Sequence, residues 1–392
     1  MRQGLLGLLV LLFSLGSLAA PLCESVFRDE AHVQKRIESL KANPELELPQ
    51  LLWQMQSEKK LIYRGKHKYA PGTEFLASNE FDWLATPFDK KPADVLVAFG
   101  TNSSWDIAVH KNVKSLYVVD WSPYPLLAHA YIISPLMKIA KTPREFIILL
   151  SGRVPTPELT EGRLGDILQK SNVYSGSKKT EKLAETEAFL EYLARREEIS
   201  DFDLQFLNSY FKGMAGENSA PNVLGPFKGL RHPNFAKLLS FYHQRYSPDV
   251  SADHHIGKRT KSSLEEMSVF SSQKNFDKLK SLFDGDKVQY GMSSITDLGV
   301  YQAIKGKEAP GLRYSISVTN IFDCGCYNGL TMKDFSSYLH DMTRIFESND
   351  LNPLVVFRTT NTAPPHGFYR YDLKSPADVL WLDLGIPEAS SF

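Results

Sequence analysis

The sequence predicts an α/β fold with a doubly wound, mostly parallel sheet. In the segment Asp94–Asp120, the apolar run DVLVAFG ends at a glycine, an amphipathic stretch follows, and the apolar run LYVVD ends at an aspartate. Later runs end in polar residues in the same way (KVQYGMSSITD, LRYSISVTNIFD and NPLVVFRTTN), and an amphipathic helix separates the last two. Strands that alternate with helices form a parallel sheet that helices cover on both faces.

The N-terminal stretch 1–20 is predicted to be a secretory signal peptide. Arg2 precedes the apolar stretch GLLGLLVLLFSLGSLAA, which closes in small residues, so we expect cleavage near Ala19 or Ala20. An uncleaved anchor is the alternative, as is lipidation at Cys23, although the residue before it is larger than lipid-attachment sites favour. The pattern predicts an exported protein, periplasmic or secreted, with no transmembrane span in the mature chain.

Four regions follow in the predicted organisation. They are an N-terminal helical cap, the first half of the core, a helical insertion or lid, and the second half of the core, at residues 24–91, 92–152, 153–285 and 286–392. In the cap, VFRDEAHVQKRIESLKAN places apolar residues at helical spacing, and KKTEKLAETEAFLEYLARREE does so in the insertion.

Local signals define elements inside the core. KTPREFIILLSG is compatible with a strand or a helix, and we favour a helix because Thr142 is a good N-cap and Pro143 suits the first helical position. Pro135 is expected to end or kink the helix before it. GFYRYDL, the turn KSPA and DVLWLDLG predict an antiparallel hairpin at the C-terminal end of the sheet.

The composition is typical of a globular protein, and its balance of acidic and basic residues does not indicate a strongly charged partner. Hydrophobic residues make up 43% and charged residues 23% of the 392 residues, and 45 Lys and Arg balance 45 Asp and Glu. Because the net charge is zero, we expect no binding to nucleic acid. The basic stretch Gly257–Lys261 is interpreted as a solvated loop.

Histidine and cysteine residues do not form a recognisable metal site. His254 and His255 are adjacent and would point apart on regular structure, so no metal is expected, with the loop at Asp253 as the alternative. Cys324 and Cys326 flank a single glycine. They are interpreted either as two cysteines at a strand-to-loop junction or as a strained, redox-active disulfide.

Candidate ligand-binding residues follow the carboxyl ends of the predicted strands. In an open parallel sheet, ligands bind at these ends, near the point where the strand order reverses. A glycine there lets the backbone turn tightly, and the next helix offers free N–H groups. The residues are Gly100, Thr101, Asn102 and Ser103 after the first strand, Asp120 and Trp121 after the second, and Asp297, Asn320 and Asp323 after later ones.

Asp120 allows two interpretations. It lies 20 residues after Gly100, close to the spacing at which dinucleotide-type folds place the acid that binds ribose hydroxyls. Trp121 beside it is suited to stack on a base. Alternatively, the carboxylate caps the helix that Ser122 and Pro123 begin, and the loop after Gly100 is an ordinary strand-to-helix turn.

Motifs of other enzyme classes are absent from the sequence. It contains neither a G-x-S-x-G elbow nor a phosphate loop ending in GK[ST], which argues against hydrolases and nucleoside triphosphatases. His366 follows two prolines near the predicted carboxyl edge and is a candidate for proton transfer.

Two parts of the core resemble a known superfamily. DVLVAFGTNSSWDIA followed by LYVVDWSP resembles the first two core motifs of class I S-adenosylmethionine-dependent methyltransferases, which have a Rossmann-like sheet, and ISVTNIFD and the closing hairpin suit the same sheet. The resemblance covers residues 94–152 and 288–385, and the chain is most similar to uncharacterised exported bacterial proteins with this fold. EFIILLSG and TNIFD also resemble the aminocarboxypropyl transferases of betaine-lipid synthesis.

The resemblance implies a nucleoside-type cofactor, S-adenosylmethionine. By position, Gly100 and Asn102 would line its methionine part. Asp120 would hold the ribose, and Asp297 would contact the edge of the adenine. The loop departs from the usual G-x-G pattern, because Gly100 is its single glycine.

The acceptor side follows from the same resemblance. Asn320 and Asp323 would border an acceptor that the sequence does not identify, and Asp323 or His366 would be the base for an acceptor that must lose a proton. The function hypothesis is therefore transfer of a methyl or aminocarboxypropyl group. The alternative is a catalytically inactive, exported binding or structural protein that retains the fold, since S-adenosylmethionine is scarce outside the cytoplasm.

Overall fold

The structure is a computed structural model that describes most of the predicted core. The described residues are 26–27, 29–42, 46–64, 92–99, 103–161, 179–215, 269, 272–294, 296–317, 337, 341–342, 344–346, 355–359 and 368–372. Several predictions lie outside them: the signal peptide, the basic stretch 257–261, the loop at Asp253, and Cys23, Cys324 and Cys326.

The elements run in the following order. The strands are β1 Leu61–Arg64, β2 Val95–Phe99, β3 Ser115–Asp120, β4 Val288–Met292, β5 Tyr314–Ser317, β6 Val355–Thr359 and β7 Phe368–Asp372. The helices are α1 Glu30–Ala42, α2 Leu48–Ser57, α3 Ser103–Lys111, α4 Pro123–Ala128, α5 Ser134–Ile139, α6 Pro143–Leu150, α7 Pro157–Thr160, α8 Lys179–Ala194, α9 Asp201–Ala215, α10 Gln273–Asp284 and α11 Leu298–Lys307, and a π-helical turn, His129–Ile133, joins α4 to α5. None of the described helices is long and apolar enough to span a membrane.

The strands form a seven-stranded sheet in the order β1-β4-β3-β2-β5-β6-β7. The first six of these strands are parallel to their neighbours, and β7 pairs with β6 in the antiparallel direction. From β2 the chain proceeds through β3 and β4 on one side and then crosses to β5 on the other. The strand order therefore reverses between β2 and β5, which is where ligands bind in open α/β sheets.

The two faces of the sheet are buried under separate sets of side chains. In β2, Leu96 and Ala98 belong to one apolar cluster and Val95, Val97 and Phe99 belong to the other. This alternation follows from the two-residue period of a strand. The continuous burial of β2 is typical of a parallel strand covered on both sides. The predicted α/β architecture with a mostly parallel, two-sided sheet is confirmed at this level.

Strand β1 is an addition to the sheet that the sequence pattern did not indicate. It lies inside the region predicted as a helical cap, and it pairs with β4 at the edge of the sheet. At the opposite edge, the predicted antiparallel strand is present as β7. Its predicted hairpin partner, DVLWLDLG, lies outside the described residues.

The ambiguous segment after Ala140 is a helix, as favoured from the sequence. The side-chain oxygen of Thr142 accepts a hydrogen bond from the backbone N–H of Glu145, and Pro143 occupies the first turn of α6. The helix ends at Leu150, and Gly152, which follows the C-cap Ser151, has a φ of 75°, the left-handed conformation that terminates many helices.

The helix does not end at Pro135, which was one of the two outcomes expected from the sequence. The helical backbone continues from α4 through the π-helical turn into α5, in which Pro135 lies in the first turn. A proline lacks an N–H donor and its ring collides with the carbonyl four residues earlier. The wider π-helical turn directly before Pro135 relieves that collision, so the helical backbone continues through the proline.

The start of the central strand is fixed by one carboxylate. Asp94 is buried, and its Oδ2 accepts hydrogen bonds from Nε of Arg313 at 2.8 Å and from the Arg313 backbone N–H at 3.1 Å. Its Oδ1 forms an ion pair with Lys114 Nζ at 2.9 Å. The Arg313 guanidinium holds the pKa of the Asp94 carboxyl well below its usual range. Because Lys114 precedes β3 and Arg313 precedes β5, this cluster aligns three strand starts.

Close packing around Gly291 predicts that a single methyl group destabilises the fold. A Cβ atom on Gly291 would lie 3.0 Å from a methyl of Val300 and 3.2 Å from a methyl of Val119, both fully buried. We expect Gly291→Ala to lower the free energy of unfolding by about 1–3 kcal/mol, as overpacking does, measured by urea denaturation. Gly306→Ala is the control, because no atom lies within 4 Å of the added methyl and it should stabilise α11. Equal stability of Gly291→Ala and the parent protein would contradict the packing.

Candidate functional site

The candidate site lies at the carboxyl edge of the sheet, where β2, β3, β4 and β5 end side by side. Of the predicted binding residues, Asp120, Trp121, Asp297 and the backbone of Ser103 are described, and Ser103 is the first residue of α3. The other predicted site residues lie outside the described residues: Gly100, Thr101, Asn102, Asn320, Asp323 and His366.

Asp120 is the last residue of β3 and is partly buried. Its Oδ1 accepts a hydrogen bond from the backbone N–H of Ser122 at 2.8 Å. Burial raises the pKa of the Asp120 carboxyl to about 6, and hydrogen bonds from the Ser122 and Trp121 backbones offset part of that rise. The carboxylate thus closes the turn that leads into α4 by bonding the backbone of its N-cap residue, Ser122, and it is not itself the N-cap considered from the sequence. Its second oxygen takes no part in that bond.

Trp121, the next residue in the chain after Asp120, is exposed to solvent. Its side chain is 47% exposed, and together with Trp53 it is one of two exposed large hydrophobic residues among those described. An exposed indole next to a buried strand end offers a flat apolar surface on which a planar ring can stack.

Asp297 follows the neighbouring strand, β4, and caps helix α11. It is the N-cap of α11, and its Oδ1 accepts a hydrogen bond from the Gly299 backbone N–H at 3.0 Å. Its own N–H donates to the Ser294 carbonyl at 3.0 Å. The carboxyl group that was expected to contact an adenine edge therefore stabilises the start of α11.

Two serines that the sequence analysis did not select lie next to Asp120. Ser122 donates its backbone N–H to the Asp120 carboxylate, and Ser293, the first residue after β4, donates its backbone N–H to the Asp120 carbonyl at 3.0 Å. This contact continues the β3–β4 ladder, in which Asp120 is opposite Met292. A polar residue directly after a strand was the available signal for Ser293, but strand adjacency cannot be obtained from sequence spacing.

A buried histidine lies on the helix that follows Asp120. His129 begins the π-helical turn, is fully buried, and its ring contacts Trp105 and Tyr290 edge-on, with centroids 5.5 Å and 6.3 Å away. Neither ring nitrogen has a hydrogen-bond partner within the described part of the chain. Burial lowers the pKa of His129 to about 3, so the ring is neutral at physiological pH.

The described residues contain no group of three or more His, Cys, Asp or Glu side chains that could hold a metal ion. Among the described residues, this edge offers the Asp120 carboxylate and the exposed Trp121 indole, which suit a ligand with hydroxyl groups and a planar ring. No protein-family model matches the sequence, and no curated protein matches it.

Proposed function

We propose that this protein binds S-adenosylmethionine or a related nucleoside at the carboxyl edge of its sheet and transfers a methyl or aminocarboxypropyl group to an acceptor. The observation that carries the proposal is the position of Asp120: it ends the strand next to β2, beside the point where the strand order reverses. A carboxylate there can accept hydrogen bonds from ribose hydroxyls. Export through the N-terminal apolar stretch belongs to the same proposal.

The residues at the edge fit such a ligand. The Asp120 oxygen that does not bond Ser122 is an acceptor for a ligand hydroxyl, and the exposed Trp121 ring is adjacent for stacking on a base. The bound cofactor would supply the electrophilic carbon, and the chain would position the acceptor in line with it. Asp323 and His366 remain the proposed bases for an acceptor that must lose a proton.

The second candidate is a binding or structural protein that keeps the fold without catalysis. The hydrogen bond from Ser122 to Asp120 favours it, because a carboxylate that closes its own turn needs no ligand to explain its position. Calorimetry separates the two candidates.

We predict that ligand affinity depends on the negative charge of Asp120. Titration of the purified protein with S-adenosylmethionine and S-adenosylhomocysteine should give saturable binding below about 1 mM ligand. Asp120→Asn keeps an oxygen for the Ser122 N–H but removes the charge, so affinity should fall about tenfold. For the parent protein, affinity should also fall as the pH drops below 6, where Asp120 takes up a proton. Binding to Asp120→Asn should not change over that range.

The control is Asp277→Asn, an exposed acid on α10, which should bind like the parent protein. Absence of binding to the parent protein at millimolar ligand would exclude the transferase proposal. Binding that is unchanged in Asp120→Asn and in Asp120→Ala would mean that the ligand binds elsewhere.

A further inference from the structure

Helix α2 has a solvent-exposed face that contains no charge. The helix sequence, LPQLLWQMQS, lacks Asp, Glu, Lys and Arg, and the helix is buried on one side through Leu51, Leu52 and Met55. The exposed side chains recur at the three- and four-residue spacing that places them on a single face. They are Pro49, Gln50, Trp53, Gln56 and Ser57, and we call these five residues the Trp53 face.

Trp53 is the centre of this face and its largest side chain. It is 64% exposed, and the other exposed large hydrophobic residue among those described, Trp121, is 47% exposed. A tryptophan buries about 150–250 Å² when it is covered, and Trp is enriched among the residues that dominate the binding energy of protein interfaces. Charged residues are depleted at the core of such interfaces. The Trp53 face therefore has the composition of an interface core.

The sequence of α2 is symmetric about Trp53 in a way that suits a second copy of the same helix. Gln50 and Gln56 lie three residues to either side of Trp53. Glu47 and Lys59, both exposed, lie six residues to either side, beyond the two ends of the helix. When two copies of a helix pack antiparallel across a two-fold axis, a residue before the centre of one helix faces the residue equally far after the centre of the other. Such packing brings the glutamines together and joins an acid to a base at each end.

We propose that the Trp53 face joins two copies of this protein in an antiparallel, two-fold-symmetric dimer. Gln50 faces Gln56 of the partner subunit, and the pair is complementary because an amide both donates and accepts hydrogen bonds. Glu47 faces Lys59 of the partner subunit, which supplies two pairs of opposite charge in the dimer. In a parallel arrangement each charge would face its own copy, and like charges would oppose association. The dimer does not depend on ligand binding at the carboxyl edge of the sheet.

A face of this size supports a weak dimer. The 10 residues of α2 extend about 15 Å. A standard interface uses about 20–30 residues and about 800 Å² on each partner, which is more than the Trp53 face and its two flanking charges provide. We therefore expect a Kd of about 10–100 µM.

Sedimentation velocity over about 1–300 µM protein tests the dimer, because this range spans the expected Kd. The parent protein should shift from monomer to dimer as its concentration rises. Trp53→Ala should raise the Kd at least about tenfold, because the lost anchor occurs twice in a two-fold interface. The matched control is Trp121→Ala, which removes the other exposed tryptophan and should dimerise like the parent protein. Circular dichroism should give both variants the melting temperature of the parent protein, since neither side chain is buried.

Charge reversal tests the antiparallel arrangement. Glu58, beside Lys59, is already paired with Lys60 of its own chain at 2.8 Å. Glu47→Lys and Lys59→Glu each place like charges at both ends of the interface, so each should weaken the dimer about three- to tenfold at low salt. The double variant Glu47→Lys/Lys59→Glu restores opposite charges in every pair and should recover the parent Kd. High salt should reduce these differences, because the charges are exposed.

Each contrary result has a definite meaning. A parent protein that stays monomeric at the highest concentration overturns the dimer. A dimer that forms equally well in Trp53→Ala lies on another surface, which overturns the assignment to the Trp53 face. A double variant that is as weak as the single variants contradicts the antiparallel pairing. Trp53-dependent pelleting of a monomeric protein with phosphatidylcholine vesicles would assign the face to a lipid surface instead, where tryptophan is also enriched.

Discussion

Replacing Arg36 with methionine should lower the free energy of unfolding by about 3–5 kcal/mol, because it leaves three buried backbone carbonyls without their hydrogen-bond donor. Arg36 is only 3% exposed. Its guanidinium donates to the backbone carbonyls of Ala194 and Arg196, both at 3.0 Å, and of Ile199. Nε also forms an ion pair with Asp201 at 3.0 Å. Methionine fills a similar volume but leaves three buried carbonyls without their donor.

Urea denaturation followed by circular dichroism measures this loss. The control is Arg195→Met, which removes an exposed arginine that pairs with Glu30 at 2.9 Å, and it should change stability little. If Arg36→Met were as stable as Arg195→Met, the guanidinium would not be holding these segments together. A stable Arg36→Lys would show that charge alone suffices, which is not expected because an ammonium cannot reach several carbonyls in the same fork geometry.

Arg36 also shows where prediction from the sequence stops. Helical periodicity indicated α1 and α8 correctly, but it assigned them to two regions, a cap and an insertion. In the structure α1 lies against α8 and α9, and Arg36 bonds carbonyls about 160 positions away in the sequence. Periodicity reports which face of a helix is apolar and contains no information about which distant segment covers that face.

The core of the sheet was predictable for a local reason. In β2–α3–β3, strand, helix and strand follow each other within 26 residues, so their order in the chain determines their arrangement in space. Strand β1 was not predictable in this way. It has four residues, follows a helix, and pairs with β4, which comes more than 220 residues later.

The residues of the candidate site also differ in whether the sequence could predict them. Asp120 and Trp121 follow from the pattern of one strand, because they come directly after an apolar run. Ser293 becomes a neighbour of Asp120 only through the register of β3 against β4, which places Met292 opposite Asp120. The burial of the Ser122 hydroxyl without a hydrogen-bond partner among the described residues is not visible in the sequence.

Acid should destabilise the protein through His129. The pKa of His129 is about 3 in the folded protein, against 6.5 for an ordinary histidine. Between these pH values the unfolded chain binds the proton and the folded chain does not, so the free energy of unfolding falls as the pH drops from 6.5 toward 3. The slope is about 1.4 kcal/mol per pH unit, which gives about 3 kcal/mol at pH 4.

The measurement is the difference between the parent protein and His129→Phe, which keeps an aromatic ring against Trp105 and cannot take up a proton. This subtraction is needed because Asp120 acts in the opposite direction: its pKa is raised from 3.8 to about 6, so the folded state binds its proton first and gains stability as the pH falls through that window. We therefore expect that the titrations of His129 and Asp120 have opposite effects on the free energy of unfolding of the parent protein between pH 6 and pH 4. His129→Phe should become more stable with acid over that range, and Asp120→Asn should lose stability steeply. A parent-minus-His129→Phe difference that does not change with pH would mean that the folded protein accommodates a charged His129.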